Sequence, residues 1–516
     1  MTTTELLKNT NQAIGIGVFA VDFMSGKVGN PAQDVLDRTA LFFTDAVLCG
    51  VSAVAVKTNA PTVLRNEALS YPCDNGATVF GSNSRVAPEK AILANCAAVR
   101  EWDSNGTNFG FNPDLGHTAG EFGHNDFYAV PVAASQIVGL DGATALRGMV
   151  LLDEIRGRLA EVFSLKTYKI DHVVHGAIAS AAVYGAMCGA TAEQIESAIG
   201  MVVAHFVPWR AIRAGKQLSD SKGSSAAIST EVAIISMQRA MRGFVGPKDI
   251  FRNPEAIFRF FEPTDGDAPF DLVLSHSGSD FAVMGMHFKI GLYEHQSAGA
   301  LQGLLQLVQQ TPTIAANIDN IASIRITAYE PAFGIIGDPA KRDPKTRQSA
   351  DHSMVYIVST MLRKASEIIE SEGTALFEAS NDDVWKRLML TPFDFDTDAI
   401  NNKTTRAIME AIEFVHGGET YDEKYPDGIP TSLTIETNDG VVHESGLIMY
   451  PSGHARNTDC DLRSILQAKF LMLANIATDD PSLIIDRCLS IENMDSGSVM
   501  SLWDIPIADR PVFQDG

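Results

Sequence analysis

The chain has 516 residues, of which 45% are hydrophobic and 20% charged, and its formal net charge at pH 7 is -23. This length exceeds the ~250–300 residues at which a single hydrophobic core stops growing, so we expect two domains. The negative charge disfavours nucleic acids and anionic membranes as partners, whereas an anionic small-molecule substrate needs only a local group of cations, because charges are screened beyond ~8–10 Å.

Targeting signals and cysteine spacing point to a cytoplasmic protein with free thiols. The N-terminal segment has neither the basic region and apolar core of a secretory signal nor the Arg-rich face of a mitochondrial presequence. No segment reaches the ~18 uninterrupted apolar residues of a membrane span. The six cysteines are at least 23 residues apart, which predicts no disulfides, excludes a CxxC zinc ribbon and argues against a cysteine-ligated iron–sulfur cluster.

Residues 1 to about 280 have the apolar spacing of packed helices. Apolar side chains recur every three or four residues in the Ala-rich stretches 87–101, 139–163, 172–190, 192–206 and 224–242. Thr191, which precedes the fourth stretch, is predicted to be its N-cap.

A turn-rich connector at 262–280 predicts a change of fold. Beyond it, helical patterns alternate with predicted strands at 287–293, 322–329 and 432–443, the last with Asp439-Gly440 at a hairpin turn. Helical patterns return at 462–477 and 483–491. We therefore predict a mainly α fold with an inserted α+β domain, divided as 1–280 and 456–516 for the helical domain and 281–455 for the α+β domain.

The densest group of polar residues lies in two Gly-containing segments, 100–107 and 117–126. Acid/base catalysis requires a titratable residue, an orienting partner and space for substrate, and these segments supply candidates for each. They are Asp103, Asn105, His117, Glu121, His124 and Asp126. The alternative is a solvated loop that caps helices.

Two further segments could contribute a base and a group of cations. His172 follows Asp171 near the start of a predicted helix, where the neutral imidazole is favoured; the alternative is that His172 and His175 are core or capping histidines. Four cations then fall within 13 residues, which suits a carboxylate-binding loop or, alternatively, a solvated basic loop. They are Arg210, Arg213, Lys216 and Lys222.

Histidines also stand beside carboxylates later in the chain. His295 follows Glu294 where a predicted strand gives way to a helix, and Asp351-His352 precedes another predicted helix. Capping by Asp351 or Ser349 is the simpler interpretation of the second pair. The GxGxxG, GxxxxGK[ST], HExxH and GxSxG motifs are absent from the sequence, so nucleotide-binding, zinc-protease and serine-hydrolase functions have no motif support.

The order of these segments resembles the MmgE/PrpD family, which includes dehydratases, decarboxylases and epimerases of small polycarboxylates. The matching segments span about 100–360, with a further match at 450–454. The resemblance implies a cofactor-free and metal-free enzyme, usually a homodimer, whose active site lies between a helical domain and an α+β lid.

Residue by residue, the resemblance implies a set of catalytic and substrate-binding side chains. The catalytic candidates are Asp103, His124, His172, Lys222 and His295, and the substrate-binding candidates are Arg210, Arg213 and Tyr329. His124 or His172 would be the base, the other would assist Lys222 as proton donor, Asp103 would orient a histidine, and His295 with the arginines would hold carboxylates.

The leading functional hypothesis is a lyase that dehydrates 2-methylcitrate or a similar hydroxy-polycarboxylate. An epimerase, isomerase or decarboxylase on the same scaffold, and a non-catalytic homologue, remain alternatives. The chain departs from the dehydratase pattern at Gly106, where that pattern has a second Asp, and in the longer segment 108–120. Within that segment, His117 would either enter the pocket or face solvent.

Overall fold

The computed structural model describes residues 2–108, 111–119, 123–213, 217–337 and 339–515. The fold is mostly helical, with its largest sheet in the C-terminal part of the chain. The α-helices up to residue 261 are Gln12–Met24, Gln33–Ala55, Asn59–Leu69, Pro88–Glu101, Ala129–Val138, Gly142–Val162, Val173–Met187, Ala192–His205, Asp220–Gly223, Ser225–Met241 and Ile257–Phe261.

The helices beyond residue 297 alternate with strands and then return to an uninterrupted helical segment. They are Ala298–Gln310, Thr313–Ala316, Glu330–Ile335, Arg347–Ala350, Met354–Glu372, Asn381–Leu388, Thr397–Ile400, Lys403–Glu410, Glu419–Asp422, Leu462–Ala477, Pro481–Leu489 and Ser496–Met500. The predicted Ala-rich helices are confirmed to within three residues at each end.

Local capping explains why several predicted helices begin where they do. The Thr191 side chain accepts a hydrogen bond from the Gln194 backbone amide, and the Gln194 side chain accepts one from the Thr191 amide. This reciprocal pair satisfies two amide donors that the first helical turn leaves without partners. The predicted N-cap at Thr191 is confirmed.

Helix Gln33–Ala55 is long and apolar enough to cross a membrane by length and composition alone, but 83% of its apolar window is buried inside the protein. It packs against helices Pro88–Glu101 and Leu462–Ala477. A helix that is apolar on all sides is expected at the centre of a large helical core, and that is its position here.

The four-stranded sheet lies in the C-terminal part of the chain. Strand Ile321–Ala328 is central, parallel to Ile412–His416 on one side and antiparallel to Thr431–Thr437 on the other, and Val442–Glu444 completes the sheet. Gly440 adopts a φ of 82° in the tight turn between the last two strands, as the Asp-Gly sequence predicts.

A small three-stranded sheet brings distant parts of the sequence to the polar centre of the protein. Strand Thr107–Asn108 lies between Gly123–His124 and Met286–His287, and Thr107 is directly opposite both His124 and His287. Directly opposed residues project from the same face of a sheet. His124 and His287 therefore share one face, two strand spacings or about 10 Å apart.

The predicted strand at 287–293 is wrong beyond its first residue. The backbone amides of Phe288, Leu292 and Tyr293 each donate a hydrogen bond to a different segment, with the carbonyls of Gly453, Leu390 and Asp103 as the respective acceptors. Among the residues that the structure describes, no neighbouring strand therefore forms a continuous ladder with 288–293. Burial on all sides explains the apolar pattern that predicted a strand.

The remaining two-stranded pairs involve the N-terminal segment and the connector. Thr3–Leu6 pairs antiparallel with Leu272–Ser275, Asn30–Pro31 pairs with Ser277–Gly278, and Pro72–Thr78 pairs with Arg85–Val86. Helix Leu462–Ala477 packs on helix Gln33–Ala55, so the C-terminal segment returns to the first helices. The division of the chain at 280 and 455 stays a prediction.

Candidate active site

Six segments of the chain meet at one buried group of charged residues and histidines. They are the end of helix Pro88–Glu101, the strand Gly123–His124, the start of helix Val173–Met187, the short helix Asp220–Gly223, the irregular segment 288–295 and the turn before helix Met354–Glu372. The solvated-loop alternative for the first two segments is wrong, because Asp103, Asn105, His124 and Asp126 are buried.

The Asp103 carboxylate is the centre of this cluster. Its Oδ1 accepts hydrogen bonds from Arg100 Nη1 at 2.8 Å and from the Lys289 ammonium, and it lies 3.8 Å from His124 Nε2. Burial alone would raise the pKa of Asp103, but Arg100 and Lys289 outweigh it and hold that pKa well below its usual range. Asp103 is therefore an anion at every ordinary pH.

Lys222 lies between Asp103 and a second carboxylate. Its Nζ is 3.2 Å from Asp351 Oδ1 and 3.7 Å from Asp103 Oδ2. Burial lowers the pKa of Lys222 to about 8, although the two carboxylates oppose that change. An ammonium with such a pKa transfers its proton near neutral pH far more readily than an exposed lysine does.

His352 lies beside the same two carboxylates. Its Nδ1 is 2.6 Å from Asp351 Oδ1 and 3.1 Å from Asp103 Oδ2. The predicted capping role of Asp351 or Ser349 is wrong: Ser353 caps helix Met354–Glu372, which leaves the Asp351 side chain to bind Lys222 and His352. Asp351 and His352 belong to the cluster, which the sequence interpretation missed.

The contacts of His124 determine which of its nitrogens carries the proton. Arg100 Nη2 lies 3.1 Å from His124 Nε2, and a guanidinium only donates hydrogen bonds. His124 Nε2 therefore accepts, and the neutral ring carries its proton on Nδ1, which lies 3.4 Å from His172 Nε2. Arg100 thus donates to His124, and His124 donates to His172, so the two predicted base candidates are linked directly.

Burial keeps both of these histidines neutral. It is the largest cause that lowers the pKa of His124, and the nearby charges of Arg100 and Lys289 lower it further. Burial likewise lowers the pKa of His172, with Asp171 opposing and Arg213 and Arg210 reinforcing the change. Two imidazoles in the proton-accepting form at neutral pH are what base catalysis requires.

Arg213 lies near this pair but already binds a protein carboxylate. Its guanidinium forms an ion pair with Asp171, whose Oδ1 lies 3.7 Å from His172 Nδ1. Arg210 is close enough to lower the pKa of Asp171, and its backbone amide donates a hydrogen bond to the Lys169 carbonyl. Both arginines are half-buried, and Lys216 of the predicted cationic loop lies outside the described residues.

His295 and Tyr329 come from the C-terminal part of the chain. His295 Nε2 is 3.0 Å from His287 Nδ1, and burial is the main cause that lowers the pKa of His295. The buried Tyr329 ring stacks on Tyr425 at 4.7 Å, and its hydroxyl has no hydrogen-bond partner among the described residues. A buried hydroxyl in that state costs free energy unless a ligand or a water molecule supplies the partner.

The other members of the predicted polar group have structural partners. Asn105 donates a hydrogen bond to Asp126 at 2.6 Å, which orients the carboxylate near Arg100. His117 neither faces solvent nor reaches the cluster: it is buried and its Nδ1 lies 2.8 Å from Glu161. Glu121 lies outside the described residues.

Lys289 and Arg100 are the cations that the sequence interpretation missed. Each occurs in an apolar stretch, because Arg100 ends a helix of buried residues and Lys289 lies among the buried residues 286–292. A charged residue within a fully buried segment requires a charged partner, and that was the available signal.

Within the described ranges, the side chains of Asp103, Asp351 and His352 have the spacing of metal ligands, with their ligand atoms within 4.8 Å of one another. The Lys222 ammonium contacts both carboxylates, and Arg100 and Lys289 contact Asp103 as well. The positive charges of Lys222, Arg100 and Lys289 would repel a divalent cation at this place. The positive charge that balances these carboxylates thus comes from the protein itself.

A second buried ion pair holds the cluster's backbone in place. Lys469, from helix Leu462–Ala477, binds Asp45 Oδ1 at 2.6 Å and donates to the carbonyls of Ser104 at 2.6 Å and Lys289 at 2.8 Å. These three acceptors match the three protons of an ammonium group. Lys469 thereby links the backbone at Ser104, next to Asp103, to the backbone at Lys289, whose side chain binds Asp103.

The Lys469→Met variant is expected to be less stable by about 3–5 kcal/mol, because it leaves the Asp45 carboxylate buried without its cation. Denaturant unfolding of the purified protein measures this difference. The double variant Lys469→Met/Asp45→Asn should recover part of the loss, since it removes the unpaired charge. Equal stabilities for Lys469→Met and the unchanged protein would contradict this role.

The sequence matches two family models over most of its length. Residues 22–268 match the MmgE/PrpD N-terminal domain, and residues 293–388 match the MmgE/PrpD C-terminal domain. The chain belongs to the MmgE/PrpD family. In this MmgE/PrpD protein, Asp103, His124, His172 and Lys222 fall within the first match, and His295 falls within the second.

Curated relatives of this MmgE/PrpD protein are similar over most of their lengths. A 2-methylcitrate dehydratase from Escherichia coli (strain K12) is 24% identical over 448 residues, covering 82% of this chain and 86% of that protein. A mitochondrial 2-methylcitrate dehydratase from Yarrowia lipolytica is 25% identical over 434 residues, covering 82% and 77%. An alkylcitrate dehydratase from a fungal species is 23% identical over 478 residues, covering 91% and 89%.

Proposed function

We propose that this protein is a hydro-lyase that dehydrates 2-methylcitrate or a similar hydroxy-polycarboxylate to an aconitate-type product. The observation that carries the proposal is the buried contact of two neutral histidines with a group of cations and carboxylates that includes Lys222, whose pKa burial lowers to about 8. Elimination of water beside a carboxylate requires a neutral base, a proton donor and cations. Protein side chains can supply all three. The names of the curated relatives support the same reaction.

His124 acts as the base in the proposed mechanism. Its Nε2 lone pair is occupied by Arg100 in this structure, so a substrate carboxylate must first draw the Arg100 guanidinium towards itself. The freed Nε2 then removes the proton α to that carboxylate. Asp103 Oδ1, 3.8 Å away, stabilises the imidazolium that forms.

Lys222 acts as the proton donor. As the α carbon–hydrogen bond breaks and the carbon–carbon double bond forms, the carbon–oxygen bond of the hydroxyl breaks, and the Lys222 ammonium protonates the departing oxygen to give water. Asp351 and His352 position the Lys222 amine. Return of the proton from His124 to Lys222 completes the cycle.

The carboxylates of the substrate are held from both parts of the chain. Arg210 and Arg213 contribute positive charge beside His172. His295 and the unpartnered hydroxyl of Tyr329 provide hydrogen bonds from the opposite side. The segments 281–455 would then form an α+β lid over the helical domain, and the protein would act in the cytoplasm.

Incubation with 2-methylcitrate is expected to give an unsaturated product that absorbs at short ultraviolet wavelength. Citrate, cis-aconitate and iminodisuccinate complete the panel, with CO₂ release and optical rotation measured in parallel. Unsaturated product from 2-methylcitrate supports the lyase. CO₂ from cis-aconitate, or racemisation without a new double bond, would instead assign a decarboxylase or an epimerase, and inertness towards the whole panel would contradict all three.

The protein is further proposed to form a homodimer through exposed apolar residues. Helices Ala192–His205 and Ser225–Met241 pack against each other. The exposed Trp209 follows the first helix, and Phe244 and Val245, which are 58% and 72% exposed, follow the second. Exposed apolar side chains in neighbouring segments are typical of interfaces. Light scattering is expected to give twice the chain mass for the unchanged protein and a smaller mass for Val245→Asp, whereas a monomeric unchanged protein would contradict the proposal.

A further inference from the structure

Arg347 is a fully buried cation that the proposed mechanism leaves without a role. It begins the short helix Arg347–Ala350, which precedes Asp351. Its Nη2 donates to Glu101 Oε1 at 2.6 Å, and its Nη1 donates to the Glu101 carbonyl at 2.6 Å and to Asp351 Oδ2 at 3.2 Å. Its Nε lies 3.4 Å from Asp515 Oδ1. One side chain thus joins Asp351 to two segments that are distant in the sequence.

Arg347 is connected to both carboxylates that contact Lys222. Asp351 divides its oxygens, because Oδ2 accepts from Arg347 and Oδ1 lies 3.2 Å from Lys222 Nζ. Asp103 is two residues beyond Glu101, whose carbonyl and carboxylate both accept from Arg347. A planar guanidinium with its donors in a rigid fork holds such acceptors at a fixed separation. Lys222 therefore lies between two carboxylates whose positions are joined through Arg347.

The helix that carries Lys222 packs on the same group of residues. A Cβ on Gly223 would lie 3.9 Å from Gln348 Oε1 and 4.0 Å from Glu101 Oε2, so the backbone beside Lys222 contacts both side chains. Gln348 also donates to Asp220 Oδ1 at 3.1 Å, at the start of the same helix. Contacts around Glu101 thus fix the Lys222 backbone as well as its carboxylate partners.

We propose that Arg347 is a positioning residue of the active site, which holds Asp103 and Asp351 on either side of Lys222 and acts on the reaction only through them. The inference rests on the proposed function for the role of Lys222 as proton donor. Arg347 is 0% exposed, so it reaches the reacting atoms only through its neighbours.

The charges of Arg347 and Glu101 have opposite effects on Lys222. Burial is the main cause that lowers the pKa of Lys222, and Arg100 and Arg347 lower it further. Burial raises the pKa of Glu101 to about 7, and Arg347 and Lys222 oppose that change. Because charge interactions are reciprocal, the Glu101 anion favours the protonated form of Lys222. The other titratable groups that face Lys222 are Asp103, Asp351, Arg100 and His352, and none of the test variants replaces them.

The test compares the alkaline limb of kcat/KM, which the unchanged protein should show at about 8, among three variants. Arg347→Met removes a positive charge and should move the limb up by roughly 0.5–1 pH unit. Glu101→Gln keeps an acceptor for Arg347 but removes a negative charge, so it should move the limb down by a similar amount. Arg347→Lys keeps the charge without the fork, so the limb should stay in place while kcat falls about 10–10²-fold and KM changes little.

A second measurement needs no turnover. The pKa of Lys222 in the folded protein is about 8, below the ~10.4 of a lysine in an unfolded chain, so the unfolded chain binds more protons between these values. The unchanged protein should therefore gain stability relative to Lys222→Met as the pH rises through this window. Denaturant unfolding should show the gain beginning at lower pH when both chains carry Glu101→Gln and at higher pH when both carry Arg347→Met.

Glu154→Gln is the matched control, because Glu154 is another buried carboxylate that accepts from an arginine, Arg158, at 2.9 Å. It should move neither the alkaline limb nor the unfolding profile. Limbs in Arg347→Met and Glu101→Gln that coincide with this control, or full kcat in Arg347→Lys, would overturn the positioning role. If Arg347→Met does not fold, Glu101→Gln and Arg347→Lys still decide the matter.

The unfolding profiles separate this inference from the lyase reaction. Shifted profiles in a protein that is inert towards 2-methylcitrate would retain the placement of Lys222 by Arg347 and reject the proposed substrate. Profiles that do not move would overturn the role of Arg347 even if 2-methylcitrate is dehydrated.

Discussion

Replacing Lys222 with methionine is expected to lower kcat for dehydration by about 10²–10⁴, because the leaving hydroxyl loses its proton donor. Methionine keeps most of the volume of the buried side chain, so the fold should survive. Asp351 still contacts Arg347 at 3.2 Å and Asp103 still contacts Arg100, so the stability loss should be near the lower end of ~3–5 kcal/mol. Steady-state kinetics and denaturant unfolding of the same preparation measure both effects.

The pH dependence of kcat/KM provides a second measure of Lys222. Burial lowers the pKa of Lys222 to about 8, so the ammonium is present below that pH and is lost above it. We expect kcat/KM, which reports on the free enzyme, to fall about tenfold per pH unit above ~8. The acid side should stay flat through pH 6, because His124 and His172 are already neutral.

Lys222→Arg is the control for this assignment. Arginine keeps the charge between Asp103 and Asp351, but its pKa is far higher than that of lysine, so it holds its proton throughout this pH range. The variant should remain folded, lose most of its kcat, and show no alkaline decline near pH 8. An unchanged alkaline limb in Lys222→Arg would assign that titration to another group and remove Lys222 from the proposed role.

Replacing His124 with glutamine is also expected to lower kcat by about 10²–10⁴. The glutamine carbonyl reaches the position of Nε2 and can accept from Arg100, so the buried guanidinium keeps a partner and the melting temperature should change little. The amide cannot take up the substrate proton. KM should change less than kcat, because the lost interaction belongs to the transition state.

His117→Gln is the matched control, since His117 is another buried histidine of the same region, bonded to Glu161 and not to the cluster. It should retain kcat within about twofold. If His124→Gln and Lys222→Met both kept full turnover, the assigned residues would be wrong. If His124→Gln alone kept it, His172, whose Nε2 lies 3.4 Å from His124 Nδ1, would be the base.

The helices, the hairpin and the order of the polar segments follow from the sequence because their signals are local. Apolar spacing predicts helix Val173–Met187, Thr191 as N-cap predicts the start of Ala192–His205, and Asp439-Gly440 predicts a turn. The same local rules failed at 288–293, where backbone hydrogen bonds go to three distant segments. They also failed at Asp351-His352, because Ser353 caps helix Met354–Glu372 and the Asp351 side chain instead contacts Lys222 and His352.

The sequence by itself determined the family, the mostly helical class and the identities of Asp103, His124, His172, Lys222 and His295 as candidates. Tertiary structure alone decided which groups touch: Lys289 and His352 meet Asp103, and Lys469 reaches the Ser104 carbonyl across 365 residues of sequence. It also decided the lowered pKa of Lys222 and the neutral state of the histidines. Contact and desolvation depend on packing between distant segments, and no local pattern of residues encodes them.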